Sequence, residues 1–238
     1  MHSDIQSIWV YLSASPLLSL TMTLLAYKGG LWLHQRCNYN ALVNPVLIAV
    51  TVLVGLLALT ETDYSTYFEG AQFVHFLLGP ATVALAIPLY RQVQQVRKSL
   101  LAILVAVTCG SFAAVASAVG IGWMLGASEQ TLLSLAPKSV TTPVAMGISE
   151  QLGGLPSLTA AAVILTGIIG AMTGTGLLRI LRIEDSRASG LAIGVASHGI
   201  GTARALQINE VAGAFSGLAM GLNALATALL IPILIKLL

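Results

Sequence analysis

The sequence predicts an all-α polytopic membrane protein with about six to eight transmembrane helices and two broken or re-entrant segments rich in Pro and Gly. Hydrophobic residues make up 56% of the 238 residues and charged residues only 8%, against about 25% charged residues in soluble domains. Apolar runs of roughly 20 residues, the length that crosses a bilayer, recur along the chain. We expect a single transmembrane domain over residues 1–238.

Long apolar runs mark the predicted transmembrane helices. They cover residues 8–27, 43–60, 74–90, 100–125, 158–178 and 211–237. The first run follows no basic segment and leads into a polar loop instead of a small-residue cleavage site, so we expect it to remain as a membrane span. The net charge of +2 is too small to indicate a nucleic-acid partner.

Charged residues in the predicted loops indicate orientation. Loops 28–40, 91–98 and 179–187 carry basic residues, whereas loop 61–72 carries acidic ones. Because loops rich in Lys and Arg stay in the cytoplasm, the three basic loops are predicted to lie inside and the acidic loop outside. The same rule places the N-terminus outside the cytoplasm.

Two segments interrupt the apolar pattern. Segment 131–155 follows an outside loop and precedes a span that must run inward, so it is predicted to be re-entrant or unwound. Segment 189–209 starts from the cytoplasmic side and is predicted to enter the membrane from the opposite face. The alternative for each segment is that it crosses the membrane as a short span. Irregular backbone is stable at membrane depth only when it is buried in protein or lines a cavity. The residues that break the helices are Pro137, Pro143, Gly147, Gly153, Gly154 and Pro156 in the first segment, and Gly190, Gly194, Gly199 and Gly201 in the second.

The first segment contains a candidate anion site. Lys138 supplies a cation, and Ser139, Thr141 and Thr142 supply hydroxyl groups between two prolines that release backbone donors and acceptors. A lone Lys in an apolar region costs at least roughly 2.5–3.5 kcal/mol, so it needs a carboxylate, a cavity or access to the interface. The alternative is that Lys138 lies at the membrane interface.

The second segment contains a second candidate site. His198 can donate a hydrogen bond or titrate near neutral pH, and Arg204 can bind a carboxylate through two parallel hydrogen bonds. Ser197 and Thr202 add hydroxyl groups. The alternatives are that His198 is a packed core residue and that Arg204 anchors a helix end.

Other features are less specific. Asn44 precedes Pro45 at the start of a predicted span, where its amide is either a ligand group or an ordinary helix boundary. Cys37 and Cys109 have no metal-binding spacing. No hydrolase elbow, metal-ligand cluster, phosphate loop or carboxylate pair occurs in the predicted spans, so we expect neither an enzyme nor a metal or cofactor.

Two motifs, Pro137-Lys-Ser-Val-Thr-Thr-Pro-Val-Ala-Met146 and Ala196-Ser-His-Gly-Ile-Gly-Thr-Ala-Arg204, resemble the LrgB/CidB family of bacterial inner-membrane proteins. The similarity extends through Asn44-Pro45 and residues 63–68, 78–90 and 213–217. The resemblance implies a holin/antiholin-like modulator of murein hydrolase activity and autolysis, encoded beside a smaller LrgA/CidA-type membrane protein. Related plastid proteins translocate glycolate and glycerate, and some bacterial pairs take up pyruvate.

Two hypotheses follow from the residues and the resemblance together. The first is a transporter or facilitator for a small monocarboxylate, whose carboxylate binds Lys138 or Arg204. The second is a holin-like regulator that acts as an oligomer and needs no substrate pocket. Small residues of the span 158–178 offer close helix packing for such an oligomer. They are Gly167, Gly170, Gly174 and Gly176.

Overall fold

The computed structural model describes residues 16–40, 43–77, 80, 83–84 and 86–237, and in them all regular structure is α-helical. Part of the first predicted span and part of the third, including residues 78–79, 81–82 and 85, lie outside the described residues. The chain divides into two compact units, residues 1–84 and 85–238. The expected single transmembrane domain stays a prediction.

The first unit contains helices α1 (Pro16–Arg36), α2 (Pro45–Leu59) and α3 (Tyr64–Phe76). Helix α1 packs against both of the others, and its Thr23 hydroxyl lies 2.7 Å from the hydroxyl of Tyr67. Helices α1 and α3 cover most of the predicted loops 28–40 and 61–72, because a polar segment can be helical where it packs on one face.

The second unit contains eight described helices. They are α4 (Ala86–Arg91), α5 (Val93–Lys98), α6 (Leu100–Met124), α7 (Glu129–Leu135), α8 (Thr142–Gln151), α9 (Pro156–Ile180), α10 (Ser186–Ile208) and α11 (Glu210–Leu237). In the part of the chain that is described, α6, α9 and most of α11 are long and apolar enough to cross a membrane. Their bounds match the predicted runs 100–125, 158–178 and 211–237. The full prediction of six to eight spans remains untested.

Helices α6 and α11 run parallel to each other. Ile103 of α6 clusters with Phe215 of α11 near the start of both helices, and Val115 clusters with Ile231 further along. The starts of the two helices therefore share one end of the unit. An ion pair of 2.9 Å between Arg91 and Glu210 lies at this end.

Helices α7 and α8 form a first hairpin, residues 129–151, around the turn 136–141. The amide of Leu155 donates to Ser134 Oγ at 2.7 Å, and Thr159 Oγ1 donates to the carbonyl of Ser134 at 2.9 Å. The chain thus returns to helix α7 after the turn. Gly122, near the end of α6, packs against Leu132. This hairpin therefore approaches from the end of the α6–α11 pair at which both helices finish.

Helix α10 is a second hairpin, residues 186–208, because its chain reverses at His198 (φ 40°, ψ −134°). A straight helix of 23 residues would be about 34 Å long. Instead, Asn209 Nδ2 donates to Ser186 Oγ at 3.0 Å, so the two ends of α10 meet. Asn209 directly precedes α11. The second hairpin therefore approaches from the opposite end of the α6–α11 pair, at which both helices begin.

Glycines allow the second hairpin to pack closely on α11. A Cβ atom at Gly190 would collide with the backbone of Ala212, and one at Gly194 would lie 2.9 Å from the Cβ of Ala219. These glycines, which the sequence marked as helix breakers, therefore lie inside helical limbs at close helix contacts.

Candidate functional site

The turns of the two hairpins meet beside the middle of α11. Asn223, near the midpoint of that helix, donates through Nδ2 to the carbonyl of Ser139 at 3.1 Å and to the carbonyl of Val195 at 3.1 Å. Ser139 lies in the turn of the first hairpin, and Val195 lies three residues before the reversal of the second. The candidate site is defined here as these two turns, residues 136–141 and 195–199.

The first turn carries the cation. Lys138 is half-buried and its Nζ donates to Ser139 Oγ at 3.4 Å. Thr141 precedes helix α8 and makes no side-chain capping hydrogen bond, and Thr142 is the first helical residue. The start of a helix carries a partial positive charge, so the α8 terminus and Lys138 together favour an anion.

The second turn holds a buried imidazole. His198 is 4% exposed, and its Nε2 lies 2.9 Å from the carbonyl oxygen of Val163. Because a carbonyl oxygen only accepts, Nε2 carries the hydrogen and donates, which leaves Nδ1 as the acceptor of the neutral ring. No described residue forms a hydrogen bond with Nδ1. The positive φ of His198 is a conformation that costs about 1–3 kcal/mol and concentrates at functional sites.

Two hydroxyl groups support this turn from within. Thr202 Oγ1 donates to the carbonyl of His198 at 2.8 Å and lies 2.9 Å from Ser216 Oγ, which can donate to it. Ser197 is buried in a space made by Gly170 of α9, where a Cβ atom would collide with its Oγ. Thr202 therefore stabilises the reversed backbone, and Ser197 packs against α9.

The structure brings together five of the nine predicted site residues. Asn223 bonds to the carbonyls of Ser139 and Val195, so the turns that carry Lys138 and His198 lie against the same side chain. The remaining members are Ser139, Thr141 and Ser197, and Thr142 and Thr202 adjoin the two turns.

The other two predicted residues lie elsewhere. Arg204 is on the second limb of α10, where Nη1 donates to Gln207 Oε1 at 2.9 Å and its buried Nε has no partner among the described residues. Asn44 belongs to the first unit and caps α2, its Oδ1 accepting from the amides of Val46 at 2.9 Å and Leu47 at 3.2 Å. Substrate binding by either residue stays a prediction.

Sequence reasoning missed Asn223, which is 1% exposed. Its Oδ1 accepts from the hydroxyl of Ser111 in α6, so every polar atom of the side chain has a partner. One signal in the sequence could have identified Asn223, which is a single amide in the middle of an apolar run. Polar side chains in such runs often form hydrogen bonds between helices inside membranes.

The base of the second hairpin carries an exposed ion pair. Asp185 accepts from the amide of Arg187 at 2.8 Å and pairs with its guanidinium at 2.6 Å. The side-chain hydrogen bonds from Arg187, followed by the backbone hydrogen bond, lower the pKa of Asp185 from 3.8 to about 2. Asp185 thereby caps the start of α10 as a carboxylate.

The described part of the chain contains no cluster of three or more His, Cys, Asp or Glu residues that could hold a metal ion. Cys37 and Cys109 are exposed and free. The candidate site is thus built from a cation, an imidazole, hydroxyl groups and backbone.

Comparison with known proteins agrees with these motifs. The model of the LrgB-like family matches residues 23–237. The holin-like protein CidB of Staphylococcus epidermidis is 35% identical over 230 residues, covering 95% of this chain and 98% of CidB. CidB of Staphylococcus aureus is 34% identical over 229 residues, covering 93% of this chain and 96% of that protein. The uncharacterised protein YwbG of Bacillus subtilis is 38% identical over 220 residues, covering 92% and 97%.

No solved structure matches the chain. The family match extends over both compact units and includes both turns of the candidate site. Together with the long apolar helices, it identifies a bacterial membrane protein. The chain belongs to the LrgB-like family.

Proposed function

We propose that this protein is a transporter or facilitator for a small monocarboxylate of the pyruvate, glycolate or glycerate kind. The observation that carries the proposal is the meeting of two helical hairpins, at turns that hold Lys138 and His198, beside the middle of a helix long enough to cross a membrane. Broken helices that meet near the bilayer midplane are a recurring form of transporter binding site.

In this proposal both hairpins are re-entrant and enter the membrane from opposite faces. Their bases lie at opposite ends of the α6–α11 pair, as the contacts of Leu132 with Gly122 and of Asn209 with Ser186 indicate. The protein is then a multi-pass protein of the inner membrane, with its N-terminus outside the cytoplasm. A site reached from both faces suits alternating access.

The chemistry of the turns suits a carboxylate that carries a neighbouring oxygen. Lys138, the hydroxyl of Thr141 and the start of α8 receive the carboxylate, because a charged hydrogen bond to an anion is stronger than a neutral one. His198 Nδ1 accepts from a substrate hydroxyl group when the imidazole is neutral and donates to an oxo group when it is protonated. The protein transports and does not catalyse a covalent reaction.

The first test is uptake of labelled pyruvate, glycolate and glycerate into vesicles that contain the protein, with and without a smaller LrgA/CidA-type partner. We expect saturable uptake of at least one of them. Lys138→Met should reduce uptake at limiting substrate by about 100-fold, the upper range for losing a hydrogen bond to a charged group. Lys98→Met is the matched control, because Lys98 ends helix α5, away from the candidate site.

Correct insertion of each variant is verified by its amount in the membrane and its thermal unfolding. Uptake that is untouched by Lys138→Met in correctly inserted protein would remove Lys138 from the site. Absence of uptake of all three acids, with and without the partner, would overturn the transport proposal.

The second candidate function is a holin-like regulator of murein hydrolase activity and autolysis, which works as an oligomer with the small partner protein. The observation that favours it is the similarity to holin-like CidB proteins. Gly167 and Gly170 support an oligomer less well, because they face His198 and Ser197 of the same chain. A chain that forms oligomers and alters lysis, without any uptake, would favour this function.

A further inference from the structure

We infer that Asn223 is a positioning residue that holds the two turns of the candidate site at a fixed separation. The inference deepens the proposed transport function and rests on it for its effect on substrate binding. No motif of the sequence pointed to this residue. It lies on neither hairpin, yet its side chain bonds to the turn of each.

The orientation of the Asn223 amide follows from its partners. Nδ2 faces two backbone carbonyls, which can only accept, while Oδ1 faces the hydroxyl of Ser111, which can donate. With 1% of its surface exposed, Asn223 has little water to replace a lost partner. Each buried group left without a hydrogen bond is unfavourable.

One of the two carbonyls belongs to non-helical backbone, and the other lies in a helix just before the chain reverses. Ser139 lies in the non-helical turn 136–141. Val195 lies within one helical turn of His198, where the chain reverses, and in a continuous helix its carbonyl would accept from the amide of residue 199. Asn223 therefore bonds to the hairpins at points where their own helices are interrupted.

One side chain that bonds to two separate hairpins couples their positions. The carbonyls of Ser139 and Val195 bond to the same Nδ2 atom. Ser139 follows Lys138 directly in the chain, and Val195 precedes His198 by three residues. The amide therefore restrains the separation of the two turns that carry Lys138 and His198. Without the amide, the turns would spend less time at the separation that binds substrate. The apparent affinity falls in proportion to the binding-competent fraction, whereas saturating substrate restores that arrangement and leaves the maximal rate unchanged.

The test compares three variants of the full-length protein in lipid vesicles. Asn223→Asp keeps the shape and replaces Nδ2 by an oxygen that faces two carbonyls. Asn223→Gln keeps the amide and displaces it by one methylene group. Thr227→Val is the control, since Thr227 is also buried in α11 and makes no hydrogen bond to either hairpin in the described part of the chain.

Two quantities are measured for each variant. The first is KM and maximal rate for whichever monocarboxylate the wild type takes up. The second is backbone hydrogen exchange of peptides that cover residues 136–141 and 195–199. We expect Asn223→Asp to raise KM about tenfold, which corresponds to about 1.4 kcal/mol, with little change in maximal rate per inserted protein. Exchange should become faster in both turns, Asn223→Gln should show a smaller change, and Thr227→Val none.

The outcomes separate this inference from the proposed function. Unchanged exchange in either turn, or a lower maximal rate with unchanged KM, would overturn the positioning role. If the wild type takes up no monocarboxylate, the transport proposal fails, and the exchange measurements alone decide whether Asn223 couples the turns. If Asn223→Asp does not fold, unaltered exchange and KM in Asn223→Gln would count against the inference.

Discussion

In the first hairpin, Ser134, Ser149 and Thr159 are fully buried and are joined by hydrogen bonds at the base. In the second hairpin, the corresponding bond from Asn209 to Ser186 is exposed. Near the turns, the second hairpin has more hydrogen bonds to other helices than the first. In the second hairpin, His198 bonds to α9 and Thr202, just after the turn, bonds to α11, whereas among the described residues the side chain of Lys138 in the first turn bonds only to its neighbour Ser139.

This difference separates two tasks. The first hairpin is anchored at its base and presents Lys138 and the start of α8 with their bonding capacity largely unused. Asn223 bonds to both turns, and the second hairpin has a further anchor at its turn, where His198 bonds to α9. The first limb of this hairpin borders a groove of about 610 Å³ beside α6. In the proposed transport function, the first turn therefore supplies most ligand groups and the second supplies a fixed surface beside them.

The largest expected effect on stability comes from the base of the first hairpin. Ser134→Ala removes a fully buried hydroxyl that accepts from the amide of Leu155 and donates to the carbonyl of Gln130, and the loss of these hydrogen bonds should cost about 2 kcal/mol. Ser186→Ala breaks the exposed bond at the base of the second hairpin but keeps the cap that Asn209 Oδ1 forms with the amide of Ala212, so it should cost less than about 0.5 kcal/mol. Thermal or denaturant unfolding in lipid micelles measures both, and equal losses would contradict the different anchoring of the two bases.

The contact between the second turn and α9 provides the next test of the difference between the hairpins. Gly170→Ala adds a methyl group against Ser197 Oγ, and overpacking of this kind costs about 1–2 kcal/mol. Gly176→Ala is the matched control on the same helix, because nothing lies within 4 Å of a Cβ atom there. The free energy of unfolding should fall only for Gly170→Ala. A fall of the same size in both variants would show that the contact between Ser197 and Gly170 is not tightly packed.

Much of this architecture follows from local sequence. Apolar length located α6, α9 and α11 because a membrane span must be long and apolar. The prolines around Lys138 and the glycines around His198 located both turns because they disrupt helices. Lys138 and His198 could be singled out because an ionisable group at membrane depth is costly.

The remaining features depend on contacts between distant residues. Asn223 is one amide in an apolar helix, and its importance arises from Ser111, Ser139 and Val195, which come from three other parts of the chain. The role of Thr202 arises from the reversal at His198. The helicity of residues 64–76 was missed because hydropathy measures apolar content and not backbone conformation.

A smaller effect is expected from the backbone of the second turn. His198→Gly and His198→Ala both remove the imidazole and its bond to Val163, but only alanine retains the cost of a side chain at φ 40°. Glycine adopts such angles freely, so His198→Gly should be more stable than His198→Ala by about 1 kcal/mol. Denaturant unfolding of the two proteins provides the measurement. A less stable glycine variant would show that the turn relaxes to an ordinary conformation once the imidazole is gone.

The smallest effect lies at the base of the second hairpin, where Asp185 caps α10. Its folded pKa of about 2 is below the ordinary 3.8, so the carboxylate stabilises the fold at pH values above about 3.8, and this contribution disappears as the pH falls toward 2. Asp185→Asn keeps a good capping side chain but removes the charge. The unfolding temperature of the wild type should exceed that of the variant slightly at pH 6, and the difference should shrink in acid and in 1 M salt, since exposed ion pairs are screened. A difference that stays constant from pH 6 to pH 2.5 would assign the stabilisation to capping geometry alone, with the base of the second hairpin then held without help from charge.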